Sequence, residues 1–307
     1  MKITVIGIVK NSADIIEAFV RCNSNFADNF IIIDNFSTDR TREILNCLKE
    51  EGFDIEIIDD EENGFHQSIK MNKLLRYAIE KYNSDYVVAL DDDEILVSSS
   101  DRDVVLREQI EKLPTNELHY VRWKMYIPTE YDNANEICMP LKLKYRMDDQ
   151  FEAATKIIIP KQIVDDSFHI GEGHHFAEGN LITRDSYVSD IRVAHYPIRS
   201  EEQIKSKAMI GWTNRLRMKD RKPNQSVHWK AYYDHIKNGG SLSIENLQLM
   251  ILAYYESWDI DRINIISDPI DLPEKCFEVR YTTGHEINAL RNYMTHVEGI
   301  IEEYKNR

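Results

Sequence analysis

The sequence predicts an α/β fold with a parallel sheet buried on both faces, a mixed-sheet extension and a C-terminal helical region. Four short apolar runs in the first hundred residues are continuous rather than alternating, which is typical of strands covered on both faces. They start about 25 to 30 residues apart, the spacing that βαβ units require. The 11 glycines and 8 prolines are few, which argues against a loop-dominated all-β protein.

The four predicted strands are ITVIGIV (3–9), FIIID (30–34), IEIID (55–59) and YVVAL (86–90). After the first strand, apolar residues at 15, 16, 19 and 20 share one helix face, and Asn11 or Ser12 is the expected cap. After the third strand, apolar residues recur at three- and four-residue steps from Met71 to Tyr82. This part of the chain predicts an open, doubly wound sheet.

Further strands are predicted in the middle of the chain, at 119–128, 139–145 and 155–160, and helices follow at 201–220, 243–258 and from about 284. We therefore divide the chain into residues 1–100, 101–200 and 201–307. The terminal helix carries an apolar seam at three- and four-residue steps, formed by Ile287, Leu290, Met294, Val297, Ile301 and Tyr304. Packing of this seam on the chain's own body is favoured over pairing with a partner helix.

Composition limits the partners and the compartment. The chain has 38 basic and 53 acidic residues and a net charge of −15, which argues against a nucleic-acid partner. The N-terminus does not have the pattern of a signal peptide, and the apolar runs are far shorter than a membrane span. Four scattered cysteines without a CxxC pair indicate neither a zinc site nor a disulfide framework. We expect a cytoplasmic, reduced protein.

The segment YVVALDDDEIL (86–96) places Asp91, Asp92, Asp93 and Glu94 at the carboxyl end of a central strand, the edge where open α/β sheets bind ligands. Side chains alternate along an extended segment, so Asp91 and Asp93 point to the same side and suit a hard divalent cation. A solvated acidic turn is the less favoured alternative. An EF-hand loop is excluded because Leu96 stands where its glycine would be, and neither GxGxxG nor a P-loop is present.

Two other strand ends carry polar residues that could reach the same edge. The first strand ends in Val9, Lys10 and Asn11, and the second ends in Asp34 and Asn35. Asp34 is a candidate acceptor for a uracil N–H or a ribose hydroxyl. The following residues 37–39 are expected only to cap the next helix.

Three segments together resemble the nucleotide-binding half of glycosyltransferase family 2 enzymes of a bacterial subgroup, which adopt the GT-A fold and carry an Asp-x-Asp metal motif. They are VKNSADIIEAFVRCNSNFADNFIIIDNFSTDRTREIL, GFHQSIKMNKLLRYA and DYVVALDDDEIL. The resemblance covers residues 1 to about 100 closely and extends weakly to HYPIRSEEQIKSKAMIGW (195–212). It implies a GT-A-type Rossmann-like mixed sheet, with a nucleotide-sugar half at 1–100 and an acceptor half at 101–200.

The resemblance also implies roles for individual residues. Asp93 is the principal ligand of Mn²⁺ or Mg²⁺, Asp91 faces the ribose or the metal, and His195 is a further metal or phosphate ligand. Asp34 contacts uridine and Lys70 lies near the base or phosphate, while Asn35 stands where the family often has an acidic residue. The residues assigned to the donor nucleotide are Val9, Lys10, Asn11, Asp34, Lys70, Asp91 and Asp92.

Residues 199–222 carry eight basic and three acidic side chains, a net charge of +5 in an acidic protein. Arg199, Lys205 and Lys207 are candidates to stabilise a departing diphosphate. The later basic residues suit an anionic membrane surface or a lipid-linked acceptor, with a solvated helix face as the alternative.

An inverting transfer needs a general base that takes the proton of the acceptor hydroxyl. Family members use an Asp or Glu beyond the Asp-x-Asp motif, and the candidates are Asp148, Asp149 and Glu152, with Glu172 behind them. The histidine-rich stretch 168–180 contains several glycines, which favours a loop lining the acceptor pocket over a zinc site. Three aromatic residues are candidates for stacking on sugar faces: Trp123, Tyr126 and Tyr131.

The sequence therefore predicts a metal-dependent, inverting glycosyltransferase. It would move a sugar, from a UDP-sugar, to a hydroxyl of a glycan or lipid-linked acceptor, as in bacterial surface polysaccharide synthesis. It would work in the cytoplasm or at the inner face of the plasma membrane, as a monomer or as a homodimer through the C-terminal helix. The alternatives are a sugar nucleotidyltransferase, which would want a glycine-rich basic loop after the first strand, a phosphohydrolase, and a non-catalytic scaffold.

Overall fold

A computed structural model describes residues 1–60, 66–99, 105–148, 154–218, 227–255 and 264–305. Its strands are β1 Ile3–Val9, β2 Asn29–Asp34, β3 Ile55–Asp59, β4 Tyr86–Ala89, β5 Glu94–Ser98, β6 Leu118–Met125, β7 Tyr145–Met147, β8 Thr155–Pro160, β9 His169–Ile170, β10 Ala177–Glu178, β11 Asp185–His195 and β12 Ile265–Ser267. Its α-helices are α1 Ile16–Asn23, α2 Thr41–Glu51, α3 Gln67–Tyr82, α4 Leu106–Glu111, α5 Met139–Lys142, α6 Glu201–Arg217, α7 Val227–Lys237, α8 Ile244–Ile251 and α9 Ala289–Lys305. Short 3₁₀ helices lie at Lys161–Ile163, Glu172–His174, Leu252–Tyr255 and Glu274–Phe277.

An eight-stranded mixed sheet in the order β3-β2-β1-β4-β8-β6-β11-β5 forms the centre of the described structure. The strands β3, β2, β1 and β4 run parallel, β8 runs antiparallel to both β4 and β6, and β5 runs antiparallel to β11 at the far edge. The predicted class, a mixed sheet flanked by helices with a C-terminal helical region, is confirmed. The four N-terminal strands lie where the apolar runs placed them.

The sheet must curl, because β4 and β5 are close in sequence but four positions apart in the sheet. Residues 90–93 that join them form a tight turn, in which the Glu94 N–H donates to the Asp91 carbonyl at 3.2 Å. Such a turn cannot span four strand spacings of about 4.8 Å each in a flat sheet. The curl brings the carboxyl ends of β4, β6 and β11 to one edge, together with the first residues of β5 and β8.

Helices bury both faces of this sheet. On one face, α3 packs Met71, Leu74 and Leu75 against sheet residues such as Ile6 and Ile31. On the other face, α1 and α2 contribute a second cluster with residues from β1 and β2: Phe19, Val20, Ile44, Leu45 and Leu48. The continuous apolar runs are therefore covered on both sides, as their pattern predicts.

Two local expectations are wrong. Residues 139–142 form α5 instead of a strand, because Pro140 suits the first turn of a helix. Only Tyr145–Met147 is extended there, and it pairs with β12. The cap of α1 is Ile15 without a side-chain hydrogen bond, since Asn11 has a φ of 53° and belongs to the preceding turn.

The C-terminal segment returns to α1. The fully buried carboxylate of Glu17 accepts hydrogen bonds from the backbone N–H groups of Arg280, Tyr281 and Thr282 at 2.7 to 2.8 Å. Glu17 also accepts from Arg21 Nε at 2.9 Å. One buried side chain thus fixes residues 280–282 against the N-terminal half.

Helix α9 packs on α6 through a polar face. Asn292 donates to Ser206 at 3.2 Å, and the Ala289 N–H donates to Glu202 at 2.9 Å. The expectation that the apolar seam packs on the chain's own body is wrong for its main residues: Leu290, Met294, Ile301 and Tyr304 are 65%, 54%, 48% and 82% exposed. In the described part of the chain, no helix has the length and apolar character needed to cross a membrane.

Candidate functional site

The turn between β4 and β5 presents Asp91, Asp92 and Asp93 at the carboxyl edge of the sheet. Its position depends on a close approach between β4 and β1, where the Leu90 N–H donates to the Ile6 carbonyl at 3.1 Å. A Cβ at Gly7 would lie 2.9 Å from the Leu90 carbonyl oxygen. Glycine at this position of β1 therefore allows the turn to sit against the sheet.

Asp93 is the centre of a cationic cluster. Its side chain is buried, with Oδ2 2.7 Å from Lys207 Nζ and 3.4 Å from Arg199 Nη1, and Oδ1 3.3 Å from His195 Nε2. Burial alone would raise the pKa of Asp93, but the charges of Lys207 and His195 outweigh it and hold the pKa well below its usual range. Asp93 is therefore ionised.

Asp91 faces a different cation. Its Oδ2 accepts from Lys156 Nζ at 2.6 Å and its Oδ1 accepts from Gln67 Nε2 at 3.2 Å. Lys156 also donates to the Gly173 carbonyl at 2.8 Å and lies 3.4 Å from Glu94. Burial acts to raise the pKa of Asp91, but Lys156 lowers it to about 2.

The other two carboxyl groups of this segment, those of Asp92 and Glu94, have raised pKa values, which favours their protonated forms. Burial and the charge of Asp93 raise the pKa of Asp92, whose Oδ2 accepts a hydrogen bond from the Ser12 hydroxyl. Burial also raises the pKa of Glu94, which begins β5 and lies opposite His195 in β11. Repulsion among adjacent carboxylates contributes to both shifts.

The residues fit a divalent cation that takes part of its ligands from a substrate. Among the residues that the structure describes, no three His, Cys, Asp or Glu side chains form a metal cage, and Asp93 with His195 is a two-ligand pair. Mg²⁺ is often bound by one or two carboxylates plus substrate phosphates, without an all-protein cage.

This arrangement bears on two predicted roles. The Asp91 carboxylate pairs with Lys156 and lies apart from the Asp93–His195 pair, so its role as a metal ligand stays a prediction. Lys205 lies outside the cluster, since it pairs with Glu201 on its own helix at 2.5 Å. Lys156 is the residue that the sequence reasoning missed, and its signal was a lysine entering the apolar strand TKIIIP.

A second cluster joins the ends of β1, β2 and β3. Lys10 Nζ donates to the Asn35 carbonyl at 2.7 Å, Lys70 Nζ donates to Asp60 at 2.5 Å, and the Asn35 amide donates to Asp60. Burial lowers the pKa of Lys10 to about 8, although Asp34 and Asp60 act to raise it. Asp60 was also missed, and it places a carboxylate beside Asn35.

The loops around Asp34 are tied together by side-chain acceptors. Asp34 Oδ1 accepts from the Ser37 N–H at 3.0 Å, and Asn11 Oδ1 accepts from the Thr38 N–H at 2.7 Å. Asp39 accepts from the backbone N–H of Thr41 at 2.9 Å, but the N-cap of α2 is Arg40 without a side-chain hydrogen bond, so the expectation that residues 37–39 cap this helix is wrong. The Val9 carbonyl accepts from the Asn35 N–H at 2.9 Å.

The structure describes two of the general-base candidates, Asp148 and Glu172. Asp148 is bonded to Asn264, whose Nδ2 donates at 2.6 Å beside the β7–β12 pair. Asp149 and Glu152 lie outside the described residues, and Glu172 is exposed in a 3₁₀ helix. The three candidates therefore stay a prediction.

The aromatic and histidine candidates separate into different environments. Trp123 packs on His195 with ring centroids 4.3 Å apart, while Tyr131 is exposed. Stacking of Tyr126 on a sugar is wrong, because Tyr126 is buried against Tyr196. His174 is buried beside Asp91 with a φ of 58°, so its loop comes close to the carboxylate turn.

The basic residues of 199–222 that the structure describes pair with acidic residues of the same chain or are buried. Arg199 forms two hydrogen bonds with Asp14, at 2.7 and 2.9 Å, and Arg217 pairs with Glu303. Arg215 is buried. Lys219, Arg221 and Lys222 lie outside the described residues.

The model of the family described as Glycosyl transferase family 2 matches residues 4–119, which is well under half of the chain. The resemblance of the strand-end motifs to this family is thereby confirmed. Among curated proteins, none matches the chain.

Several solved structures are similar to the chain at low identity. One is the mannosyltransferase PcManGT from Pyrobaculum calidifontis in complex with GDP-Man and Mn²⁺, at 14% identity, TM-score 0.41, and coverage of 85% of this chain and 82% of that one. Another is GalNAc-T7 with UDP, GalNAc and Mn²⁺, at 12% identity, TM-score 0.40, and coverage of 83% and 58%. A third is glucosyl-3-phosphoglycerate synthase from Mycobacterium tuberculosis with Mn²⁺, UDP and glucosyl-3-phosphoglycerate, at 12% identity, TM-score 0.34, and coverage of 89% and 88%.

Proposed function

We propose that the chain is a metal-dependent, inverting glycosyltransferase that moves a sugar from a UDP-sugar to an acceptor hydroxyl. The observation that carries the proposal is the placement of Asp93. This carboxylate lies at the carboxyl end of a central strand, beside His195 and between Lys207 and Arg199. Such a site combines ligands for a cation with cations for an anionic leaving group.

In this proposal Asp93 and His195 hold Mn²⁺ or Mg²⁺, which when bound supplies Lewis-acid stabilisation of the departing diphosphate. Arg199 and Lys207 add positive charge on the same side. Arg199 is held by Asp14, so its guanidinium is already oriented before substrate binds. Lys205 is not part of this set.

The donor nucleotide would lie along the ends of β1 to β4. The backbone of Val9 and the side chains of Lys10, Asn11 and Asp34 line the first two strand ends, and Lys70 approaches through Asp60. Asp91 and Asp92 complete this edge. Uridine is proposed from the position of Asp34, and the Asn35–Asp60 contact is the feature most suited to modify that preference.

We infer that the acceptor is a glycan or lipid-linked hydroxyl of bacterial surface polysaccharide synthesis, bound by residues 101–200. The general base is proposed among Asp148, Asp149 and Glu152, to be identified by loss of turnover with unchanged donor binding in D148N, D149N or E152Q. Contact with the inner face of the plasma membrane is proposed only for the part of 199–222 beyond Met218. Of the preceding basic residues, Arg215 is buried, and the other four pair with Asp93, Asp14 or acidic helix residues.

A homodimer through α9 completes the proposal. Antiparallel pairing of two copies about Val297 would set Leu290 opposite Tyr304 and Met294 within one position of Ile301, and these four apolar residues are exposed. The same register sets Arg291 near Glu302 of the second copy, an opposite charge. Light scattering should show a dimer that M294E combined with I301E converts to a monomer. A wild-type monomer at all concentrations contradicts this part.

Calorimetry of nucleotide binding tests the central proposal. Wild-type protein should bind UDP with Mn²⁺ present and bind it much more weakly with a chelator. D93A should lose the metal-dependent binding and the turnover of a UDP-sugar, whereas D166N in an exposed loop should keep both. Metal-dependent UDP binding and turnover that survive in D93A would overturn the assignment. Preference for GDP over UDP would overturn only the choice of nucleoside.

A further inference from the structure

We propose that Lys207 is an internal counter-cation of Asp93, which a divalent cation displaces, and that the released ammonium then pairs with the donor's diphosphate. The inference rests on the proposed function, because it concerns the metal and the donor which that function requires. It assigns Lys207 a role before substrate binds as well as after. The three groups that surround Asp93 differ in how freely their side chains can move.

Two of these groups are fixed in place. Arg199 forms its two hydrogen bonds with Asp14, donates a third to the Tyr196 carbonyl at 2.9 Å, and has a side chain only 3% exposed. His195 is the last residue of β11, stacks against Trp123 and is 4% exposed. Neither group can leave Asp93 without disrupting buried structure.

Lys207 differs in both contact and exposure. Its Nζ makes the shortest contact of the three, 2.7 Å to Asp93 Oδ2, and its side chain is 32% exposed. Within the described residues Asp93 is its hydrogen-bonding partner, and its other contact is a position 5.8 Å from the ring of Trp229. A lysine has a flexible four-carbon stem, so this partner can swing toward solvent.

The carboxylate of Asp93 is closed to solvent while Lys207 is in place. Asp93 is 1% exposed, so a cation can reach Oδ2 only after a neighbouring group moves. An ammonium and a divalent cation also repel each other at one carboxylate oxygen. Lys207 therefore shields Asp93 Oδ2 from solvent and also competes with a metal ion for this oxygen.

Displacement couples the metal to the donor. A metal that binds alone must leave the Lys207 ammonium without its carboxylate, which weakens binding. A diphosphate that arrives with the metal gives that ammonium a new anionic partner. Each ligand then increases the affinity for the other, and the coupling is reciprocal by linkage.

Mn²⁺ binding measured by electron paramagnetic resonance, without any substrate, tests the inference. We expect K207M to bind Mn²⁺ alone about tenfold more tightly than wild type, the change expected when one charged hydrogen bond no longer competes. K207R, which keeps a positive charge, should stay close to wild type. K112M, on an exposed lysine far along the chain, is the matched control for loss of a positive charge.

The same titrations with UDP present complete the test. Wild type should bind Mn²⁺ more tightly with UDP than without it, and K207M should lose most of that enhancement. If wild type binds Mn²⁺ with UDP but K207M binds Mn²⁺ alone no more tightly than wild type, the role of Lys207 is refuted while the proposed function stands. If no form binds Mn²⁺ with or without UDP, both are refuted. Circular dichroism confirms that each variant is folded.

Discussion

Replacing Glu17 by Gln should strongly destabilise the protein, although Glu17 is remote from the carboxylate turn in the sequence. The carboxylate accepts three backbone N–H groups from residues 280–282 and one N–H of Arg21, and it is fully buried. Glutamine keeps the shape but replaces one acceptor oxygen with an NH₂ group. At least one backbone N–H then faces another donor, and the Arg21 charge loses its buried partner.

The cost follows from these contacts. A hydrogen bond to a charged group contributes about 1.5–3 kcal/mol, and breaking a buried ion pair costs about 3–5 kcal/mol. We expect a loss of about 3–5 kcal/mol in the free energy of unfolding. With an unfolding entropy of about 2.1 cal/mol/K per residue, a chain of 307 residues should melt about 5–8 °C lower.

Thermal unfolding followed by circular dichroism measures this shift. E43Q is the matched control, because Glu43 pairs with Arg40 on the exposed face of α2, where solvent screens the ion pair. Hydrogen exchange should also become faster at 280–282 in E17Q. If E17Q melts within about 2 °C of wild type, Glu17 does not hold the C-terminal segment as argued.

Three further outcomes are expected. K156M should lose about 3–5 kcal/mol of stability in denaturant unfolding, because the ionised Asp91 is left without its buried cation; adding D91N should recover part of the loss, and no recovery would contradict the pairing. D60A should weaken metal-dependent UDP binding about tenfold in calorimetry, since Lys70 and the Asn35 amide lose their acceptor; unchanged affinity would place the nucleotide elsewhere. Burial, followed by the charges of Lys10 and Arg217, lowers the pKa of His296 to about 4, below its unfolded value, so the folded protein binds fewer protons and stability should fall as pH drops from about 6.5 to 4. H296Q should reduce this acid sensitivity, and an unchanged pH dependence in H296Q would assign the effect to other groups.

The strands and the carboxylate turn could be predicted because their signals are local. Four apolar runs fix β1 to β4, and a strand that ends in consecutive acidic residues places them at the sheet edge that binds ligands. For His195, the family resemblance implies a downstream histidine ligand, and the apolar strand-like run before this residue selects it. The strand and turn predictions need only the neighbours of each residue in sequence.

The partners of those residues could not be predicted in the same way. Lys156 reaches Asp91 across 65 positions, because β8 inserts next to β4 in antiparallel direction. Helix α9 has two faces that could pack on the rest of the chain. The apolar seam predicts burial of one face, but Asn292 and Ala289 on the other face bond to α6, so the seam faces outward. These contacts depend on which helices and strands pack together, and local sequence patterns do not predict that packing.

The interleaved order of the sheet has a consequence for how the protein is made. Strands β1 to β4 can pair as soon as about the first ninety residues leave the ribosome, but β8 and β11, which lie on either side of β6 in the sheet, are complete only at residues 160 and 195. Until then β5 has no strand to pair with, and the turn at 91–93 lacks Lys156, His195 and Lys207. Long-range pairing of this kind closes late in folding. The cluster of charges that defines the site is therefore assembled near the end of synthesis, and a nascent chain carries four repelling carboxyl groups without their cations.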